Sequence, residues 1–136
     1  ISYTGNNRTH MIRIPDPGRF ELRLMDGSAN PYLLQASVLA AGLDGLKNKI
    51  NPGKPLNCNM YEDHSKYPDL PKLPNELHQS LKMLKDNKDM NEAFGKDVID
   101  SYIKLRNFEI NEFNEKENFD KTKTITSWER DNTLDC

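Results

Sequence analysis

Residues 11–25, MIRIPDPGRFELRLM, decide the fold of the first part of this chain. From Arg19 to Leu24 charged and apolar residues alternate strictly, which is typical of a strand with one face on a core. Met11–Ile14 predicts a first strand, and the PDPG that follows carries turn residues. The stretch therefore predicts an antiparallel β-hairpin, and we expect an odd-numbered loop, Ile14–Gly18, between its strands.

The polar face of the second predicted strand carries Arg19, Glu21 and Arg23. The odd-numbered loop would place Arg13 opposite Arg19 and on this same face, and Arg8 lies close by in the sequence. Arginine binds anions through a planar, bidentate fork, so the cluster predicts a bound anion. From the residues alone, a solvated row of surface ion pairs is the commoner alternative.

The segment 28–53 predicts the strongest helix of the chain. Asn30 can cap it, Pro31 suits its first position, and Asn51-Pro52-Gly53 ends it. Alanine, serine and glycine interleave with leucine along this helix. Because small side chains allow another backbone to come close, we expect it to pack against the sheet.

The rest of the chain predicts a proline-rich loop over 54–74 and a helical region over 75–136. The first predicted helix is capped by Asn75, and a short one follows from Met90 to Phe94. A long helix runs from Asp97 to Glu117 and carries an apolar stripe through Val98, Tyr102, Leu105 and Phe113. The Thr126–Glu129 capping box begins the last helix. Trp128 could pack on its own domain or on a neighbouring subunit. The fold class is α+β, with the hairpin (1–27) first and the helices after it.

The bulk properties exclude several classes of function. A net charge of -2 and a pI of about 5.9 give no electrostatic basis for binding nucleic acid or an anionic membrane. No apolar run approaches the ~20 residues of a membrane span. Cys58 and Cys136 lie far apart, which favours free thiols and a cytoplasmic location. The three histidines, His10, His64 and His78, show no metal-ligand spacing.

A two-stranded hairpin is only marginally stable alone in water, and the sequence opens at Ile1 without a methionine. We therefore expect this chain to be part of a larger protein, with further strands of the same sheet upstream.

The run from Asn7 to Gly53 resembles the C-terminal part of the catalytic domain of bacterial glutamine synthetases. The resemblance is carried by NRT (7–9), IRIP (12–15), RFELR (19–23), and DGSANPYL (26–33) leading into AAGLDGLKNKINPG (40–53). NMY (59–61) continues it. The NRTH start and the WERDNTLD ending (128–135) look like a divergent branch that includes glutamate–methylamine ligases.

The resemblance implies a reaction. Such enzymes phosphorylate the γ-carboxylate of glutamate with ATP, using Mg²⁺ or Mn²⁺, and then let ammonia or a small amine displace the phosphate. It also implies a ring-shaped homo-oligomer, while the charge and the lack of a long apolar run are what exclude nucleic acid and membrane as partners. Ammonia and methylamine both stay open as acceptors, and a non-catalytic anion-binding or assembly module is the alternative from another class.

The resemblance also implies roles for the nucleotide side of the site. Arg8, Arg13 and Arg19 match arginines that bind ATP, with Arg13 on its phosphates. Glu21 matches a ligand of the metal ion nearest the nucleotide. Carboxylate oxygen is the ligand type that Mg²⁺ prefers when it bridges phosphates.

For the glutamate side, Arg8 and Arg23 match catalytic arginines that hold glutamate and the developing phosphate. Tyr61 aligns with a tyrosine that some bacterial members adenylylate, although a plain surface aromatic is the alternative.

Two features depart from the family pattern. The loop between the strands is shorter here than in many bacterial members, so that an ATP-contacting lysine has no counterpart. His10 stands where a small residue is usual. The remaining metal ligands, the ammonium-site acid and the glycine-rich segment lie upstream in this family, and so we expect this chain alone to be inactive.

Overall fold

The structure is a computed structural model that describes residues 1–116 and 125–133. Within these ranges it has the predicted α+β class. Its elements are the strands β1 (Tyr3–Thr4), β2 (Ile12–Asp16) and β3 (Arg19–Leu22), and the helices α1 (Pro31–Lys47), α2 (Met60–Asp63), α3 (Leu77–Asp86), α4 (Lys88–Phe94), α5 (Lys96–Lys116) and α6 (Ser127–Thr133). Among the described residues no helix combines the length and apolar character needed to cross a membrane.

The chain forms two compact units. The first, called here the sheet unit, contains 1–29 and 49–73, and the second, called the helical unit, contains 30–48 and the described residues from Pro74 onward.

The sheet has the order β1-β2-β3, so the predicted hairpin has a third strand beside it within this chain. β1 pairs with β2 in parallel, and β2 pairs with β3 antiparallel. The segment after α1 borders β1 as well: the Leu56 amide donates to the Tyr3 carbonyl at 3.0 Å, and the Tyr3 hydroxyl donates to the Gly53 carbonyl at 2.8 Å.

The hairpin register differs from the predicted one. Asp16 pairs with Arg19 across a two-residue turn, in which Gly18 has a positive φ of 78°. Arg13 lies opposite Glu21, whereas an odd-numbered loop with Arg13 opposite Arg19 was expected. The PDPG stretch also does not end the first strand, because β2 runs through Pro15 to Asp16.

A β-bulge reconciles the turn with the register. Ile14 and Pro15 of β2 face the single residue Phe20 of β3, and the register shifts between Arg13 and Asp16. Proline suits this place because it has no amide to give to the ladder. A regular ladder from the same turn would have placed Arg13 opposite Leu22, on the other face. The bulge therefore brings Arg13 onto the face of Glu21.

The stretch 54–74 is largely irregular, but it contains α2 and a 3-10 turn, His64–Lys66. The Asn59 side chain caps α2 by accepting from the Tyr61 amide at 3.1 Å. A helix of one turn is too short to show a periodic pattern, and the prolines around it favour a loop, so α2 was not predicted.

In the helical unit, α1 begins as predicted. The Asn30 carboxamide oxygen accepts from the amides of Tyr32 and Leu33, with Pro31 at the first position. The partner of α1 in this unit is α4. The expectation that α1 packs against the sheet stays a prediction. No side chain of α1 is buried, and its two glycines have open space around them.

The helical unit has a small core centred on Leu81 of α3 and Ile99 of α5. Of the predicted stripe, Tyr102 and Phe113 are half-buried, whereas Val98 and Leu105 are exposed, so the prediction is only partly confirmed. The N-cap position of α3 is Glu76, which makes no side-chain capping hydrogen bond, and not the predicted Asn75. Glu117 lies outside the described residues, and the described part of α5 ends at Lys116.

The predicted capping box of α6 is confirmed. The Thr126 hydroxyl accepts from the Glu129 amide at 3.1 Å, and the Glu129 carboxylate accepts from the Thr126 amide at 2.7 Å. Trp128 packs edge-on against Phe113 of α5, with ring centroids 5.6 Å apart. Of the two alternatives for Trp128, the structure shows packing on its own chain.

Candidate functional site

Glu21 lies between two arginines on one face of the hairpin. Nη1 of Arg13 donates to both oxygens of the Glu21 carboxylate at 2.7 Å, and Nη2 of Arg19 donates to one of them at 2.8 Å. The Arg13 side chain is 11% exposed and that of Glu21 31%, whereas Arg19 is largely exposed. The predicted common face is therefore confirmed for Arg13, Arg19 and Glu21.

Arg13 has a second partner that the sequence pattern does not predict. Its Nε donates to the side-chain oxygen of Asn6 at 2.9 Å, and its Nη2 donates to the same oxygen. With Glu21 at one end of the guanidinium and Asn6 at the other, Arg13 is held in one orientation. Arg13 in turn fixes the carboxylate of Glu21.

Arg8 and Arg23 are linked to each other through the backbone. Nη1 of Arg23 donates to the carbonyl of Arg8, and the Arg23 amide continues the hairpin by donating to the Met11 carbonyl at 2.9 Å. Both residues are exposed. The structure thus places Arg13, Arg19 and Glu21 in direct contact and joins Arg23 to the loop that carries Arg8.

The loop carrying Arg8 is fastened to the segment before α2. The Asn7 side-chain amide donates to the Cys58 carbonyl at 2.9 Å, and the Thr9 hydroxyl accepts from the Met60 amide at 3.0 Å. Nε2 of His10 lies 3.0 Å from the same Cys58 carbonyl. We call Asn7, Thr9 and His10 the latch.

The two arginines lower the pKa of Glu21 below its ordinary value of 4.5. The largest cause is the hydrogen bond from Arg13; burial acts in the opposite direction, and Arg19 adds a further hydrogen bond. Glu21 is therefore ionised at neutral pH, which is the state that can bind a cation.

A pH-dependent stability difference follows. Because the folded-state pKa is lowered, the ionised carboxylate stabilises the fold fully above its ordinary pKa of 4.5, and this contribution is lost as the pH falls through the lowered value. We expect the Tm difference between the wild-type protein and Glu21→Gln to be present at neutral pH and to shrink in acid. Thermal unfolding followed by circular dichroism measures it, and a difference that stays constant with pH would contradict the assignment.

Glu21 fits a metal site as a single carboxylate ligand. One of its oxygens, Oε2, accepts only from Arg13, so a lone pair is left for a cation. In the described ranges no group of three or more histidine, cysteine, aspartate or glutamate side chains could hold a metal ion. Mg²⁺ bound through one or two carboxylates and substrate phosphates needs no such group.

The other singled-out residues lie apart from this cluster or serve it indirectly. Tyr61 is exposed on α2. His64 and His78 are exposed, whereas His10 is buried. Cys58 is a free thiol, and Cys136 lies outside the described residues.

Comparison with known proteins gives one consistent result. The family model described as "Glutamine synthetase, catalytic domain" matches residues 1–132. A glutamine synthetase of Rhizobium meliloti (strain 1021) is 44% identical over 135 residues, and a glutamate–methylamine ligase of Methyloversatilis universalis is 38% identical over 138 residues. Each alignment covers 99% of this chain and 29% of the relative.

Solved structures agree with the sequence relatives. A structure of GmaS in complex with ADP has a TM-score of 0.79 and 39% identity, covering 99% of this chain and 29% of that one. A ligand-free GmaS structure has the same TM-score and 40% identity, covering 100% of this chain and 30% of that one.

Proposed function

Because this chain belongs to the glutamine synthetase catalytic-domain family, we propose that it forms part of an ATP-dependent ligase that joins glutamate to ammonia. The chain spans 29% of the length of the curated relatives it matches, so the activity proposed is that of a whole protein of their length. The observation that carries the proposal is a single carboxylate, Glu21, held between Arg13 and Arg19.

The reaction proposed has two steps. An oxygen of the glutamate γ-carboxylate attacks the terminal phosphorus of ATP, and the bond to the bridging oxygen breaks so that ADP leaves with that electron pair. The nitrogen of ammonia then attacks the acyl carbon, phosphate leaves, and the nitrogen loses a proton to give glutamine. Both steps gather negative charge on phosphate oxygens, which fixed positive groups stabilise.

The arginines divide this task by their exposure. Arg13 is buried and engaged with Asn6 and Glu21, so we propose that it holds the carboxylate in place, and the family resemblance supports a place for it beside the ATP phosphates. Arg19 is exposed, and only its Nη2 is engaged with Glu21, so it has donors left for the nucleotide.

Arg8 and Arg23 are proposed as the catalytic arginines that hold glutamate and the transferred phosphoryl group. Both are exposed, and the Arg23 contact with the Arg8 carbonyl keeps them together. Planar guanidinium groups suit both the carboxylate and the phosphoryl oxygens.

Glu21 is proposed as a ligand of Mg²⁺ or Mn²⁺. A divalent ion there would neutralise phosphate charge during transfer. Glu21 supplies an ionised oxygen for it, oriented by Arg13, and further ligands would come from phosphate, water or parts of the protein beyond this chain.

Methylamine is the second candidate acceptor. The glutamate–methylamine ligase relative and the GmaS structures support it, at 38% to 40% identity, while the 44% identity to a glutamine synthetase supports ammonia. The roles proposed for Glu21 and the arginines concern ATP, phosphate and glutamate, which both proposed reactions share, so these roles favour neither acceptor.

One assay tests the proposed function. The full-length protein with ATP, Mg²⁺ and glutamate should release phosphate only when an amine is added, and ammonium and methylamine are compared separately. A clear preference identifies the acceptor. Comparable rates with both would contradict either narrow assignment, and no release with either would favour the non-catalytic module.

The remaining properties of the whole protein are proposals of the same kind. A ring-shaped homo-oligomer and the inactivity of this chain alone are proposed because they accompany the family resemblance. Tyr61, exposed on α2, is proposed as a site accessible to modification. The cytoplasmic location stays a prediction from cysteine usage.

A further inference from the structure

His10 is a buried imidazole that the proposed reaction does not use. It is 3% exposed, and both of its ring nitrogens have partners. Nε2 lies 3.0 Å from the Cys58 carbonyl, and Nδ1 lies 3.0 Å from the Ser2 hydroxyl. A carbonyl can only accept, so Nε2 carries the proton and donates to it. This contact joins residues 48 positions apart in the sequence.

The Cys58 carbonyl receives two donors, Nε2 of His10 and the side-chain amide of Asn7. The two donors lie on either side of Arg8 in the sequence, so the loop that carries Arg8 is held at both of its ends. Thr9 adds a third tie, because its hydroxyl accepts from the Met60 amide. Asn7 also accepts from the amide and hydroxyl of Thr9, which closes the loop on itself.

The position of this loop sets the position of two proposed catalytic arginines. Arg8 projects from the loop, and its carbonyl is the acceptor for Arg23. A shift of the loop would move the Arg8 guanidinium and remove the anchor of Arg23 at the same time.

We propose that His10 is a positioning residue, which clamps the Cys58 carbonyl through Nε2 and thereby fixes the loop that presents Arg8 and anchors Arg23. Its effect on substrate binding rests on the proposed function, whereas its effect on the order of the loop does not. His10 fills a position where the family usually has a small residue, and it belongs to the NRTH stretch that resembles the divergent branch, so this tie is not expected in the family as a whole.

Two amide variants of nearly equal polarity separate this role from a general loss of packing. In His10→Gln the side-chain amide reaches the place of Nε2 and can donate to the Cys58 carbonyl, whereas the Asn side chain of His10→Asn is one methylene too short. For full-length protein with ATP and Mg²⁺, we expect the Asn variant to raise KM for ATP or glutamate roughly tenfold and the Gln variant to stay within about twofold. Equal KM values in the two variants would overturn the proposal.

Hydrogen exchange measured by mass spectrometry supplies a readout that needs no activity. The backbone amides of Thr9 and Met60 depend on the latch, so both should exchange faster in His10→Asn than in His10→Gln. Unchanged exchange in both variants would overturn the proposal. If His10→Asn exchanges faster than His10→Gln but the wild-type protein shows no ATP-dependent turnover, the result counts against the proposed function and not against the positioning role of His10. His78→Asn, at an exposed histidine of α3, is the matched control and should change neither readout.

Discussion

Full-length protein carrying Glu21→Gln is expected to lose about 10²- to 10³-fold in kcat/KM for ATP, while its Tm falls by no more than about 4 °C. Glutamine keeps the shape of the side chain but supplies no negative charge to a divalent ion. Two arginines, Arg13 and Arg19, would then face each other across a neutral amide. Stability changes little because the carboxylate is partly exposed, and exposed ion pairs contribute little to folding.

The chain offers a matched control for this substitution. Glu109 of α5 pairs with Arg106 at 2.8 Å and its side chain is 30% exposed, against 31% for Glu21. Glu109→Gln therefore removes a comparable ion pair in the helical unit and should leave kcat/KM unchanged. If Glu21→Gln lost activity only in proportion to its loss of thermal stability, Glu21 would be a structural residue and the metal-ligand role would fail.

Arg13→Lys is expected to have the second largest effect, raising KM for ATP about 10- to 100-fold and lowering Tm by about 4 to 8 °C. The guanidinium of Arg13 contacts Asn6 through Nε and Nη2 and Glu21 through Nη1. An ammonium group is a single point and cannot reach both partners at once. The variant would leave a half-buried carboxylate with a weaker partner and no fixed orientation.

Arg106→Lys serves as the control for this variant. Arg106 pairs with Glu109, and its guanidinium lies 5.5 Å from the centre of the Tyr102 ring. Replacing it tests the loss of an arginine fork outside the proposed site, so KM for ATP should stay at the wild-type value whatever the change in Tm. Equal KM increases in Arg13→Lys and Arg106→Lys would contradict a nucleotide-side role for Arg13. Differential scanning fluorimetry and steady-state kinetics measure both quantities.

The strands of the hairpin could be predicted from the sequence, but its register could not. The alternation from Arg19 onward depends on local residues and defines which side chains share a face. The bulge at Ile14 and Pro15 depends on a contact beyond the hairpin, since the Ile14 amide donates to the Gly5 carbonyl at 3.2 Å. A hydrogen-bond partner outside the hairpin leaves no periodic signal in the hairpin sequence. The predicted odd-numbered loop was therefore wrong, although it placed Arg13 on the correct face.

The site was predictable where residue type carries the chemistry. Four arginines around one glutamate indicate anion and metal binding by composition and spacing. Asn6 and His10 were not identified, because each acts through contacts with residues elsewhere in the chain. The sequence feature that could have identified His10 is that a histidine stands where the family usually has a small residue. The contact of α1 with α4 was not predicted, because small side chains indicate close approach without identifying the neighbour.

The bulge has a consequence for how this hairpin can vary among related proteins. Arg13 and Glu21 lie behind it, on the side away from the turn at Pro17 and Gly18. Insertions or deletions at the hairpin tip can therefore accumulate during evolution, since an irregular ladder absorbs an odd change in length. The resemblance already indicates such drift, because the tip is shorter here than in many bacterial members. The tip can therefore change in length, while Arg13 and Glu21 stay opposite each other.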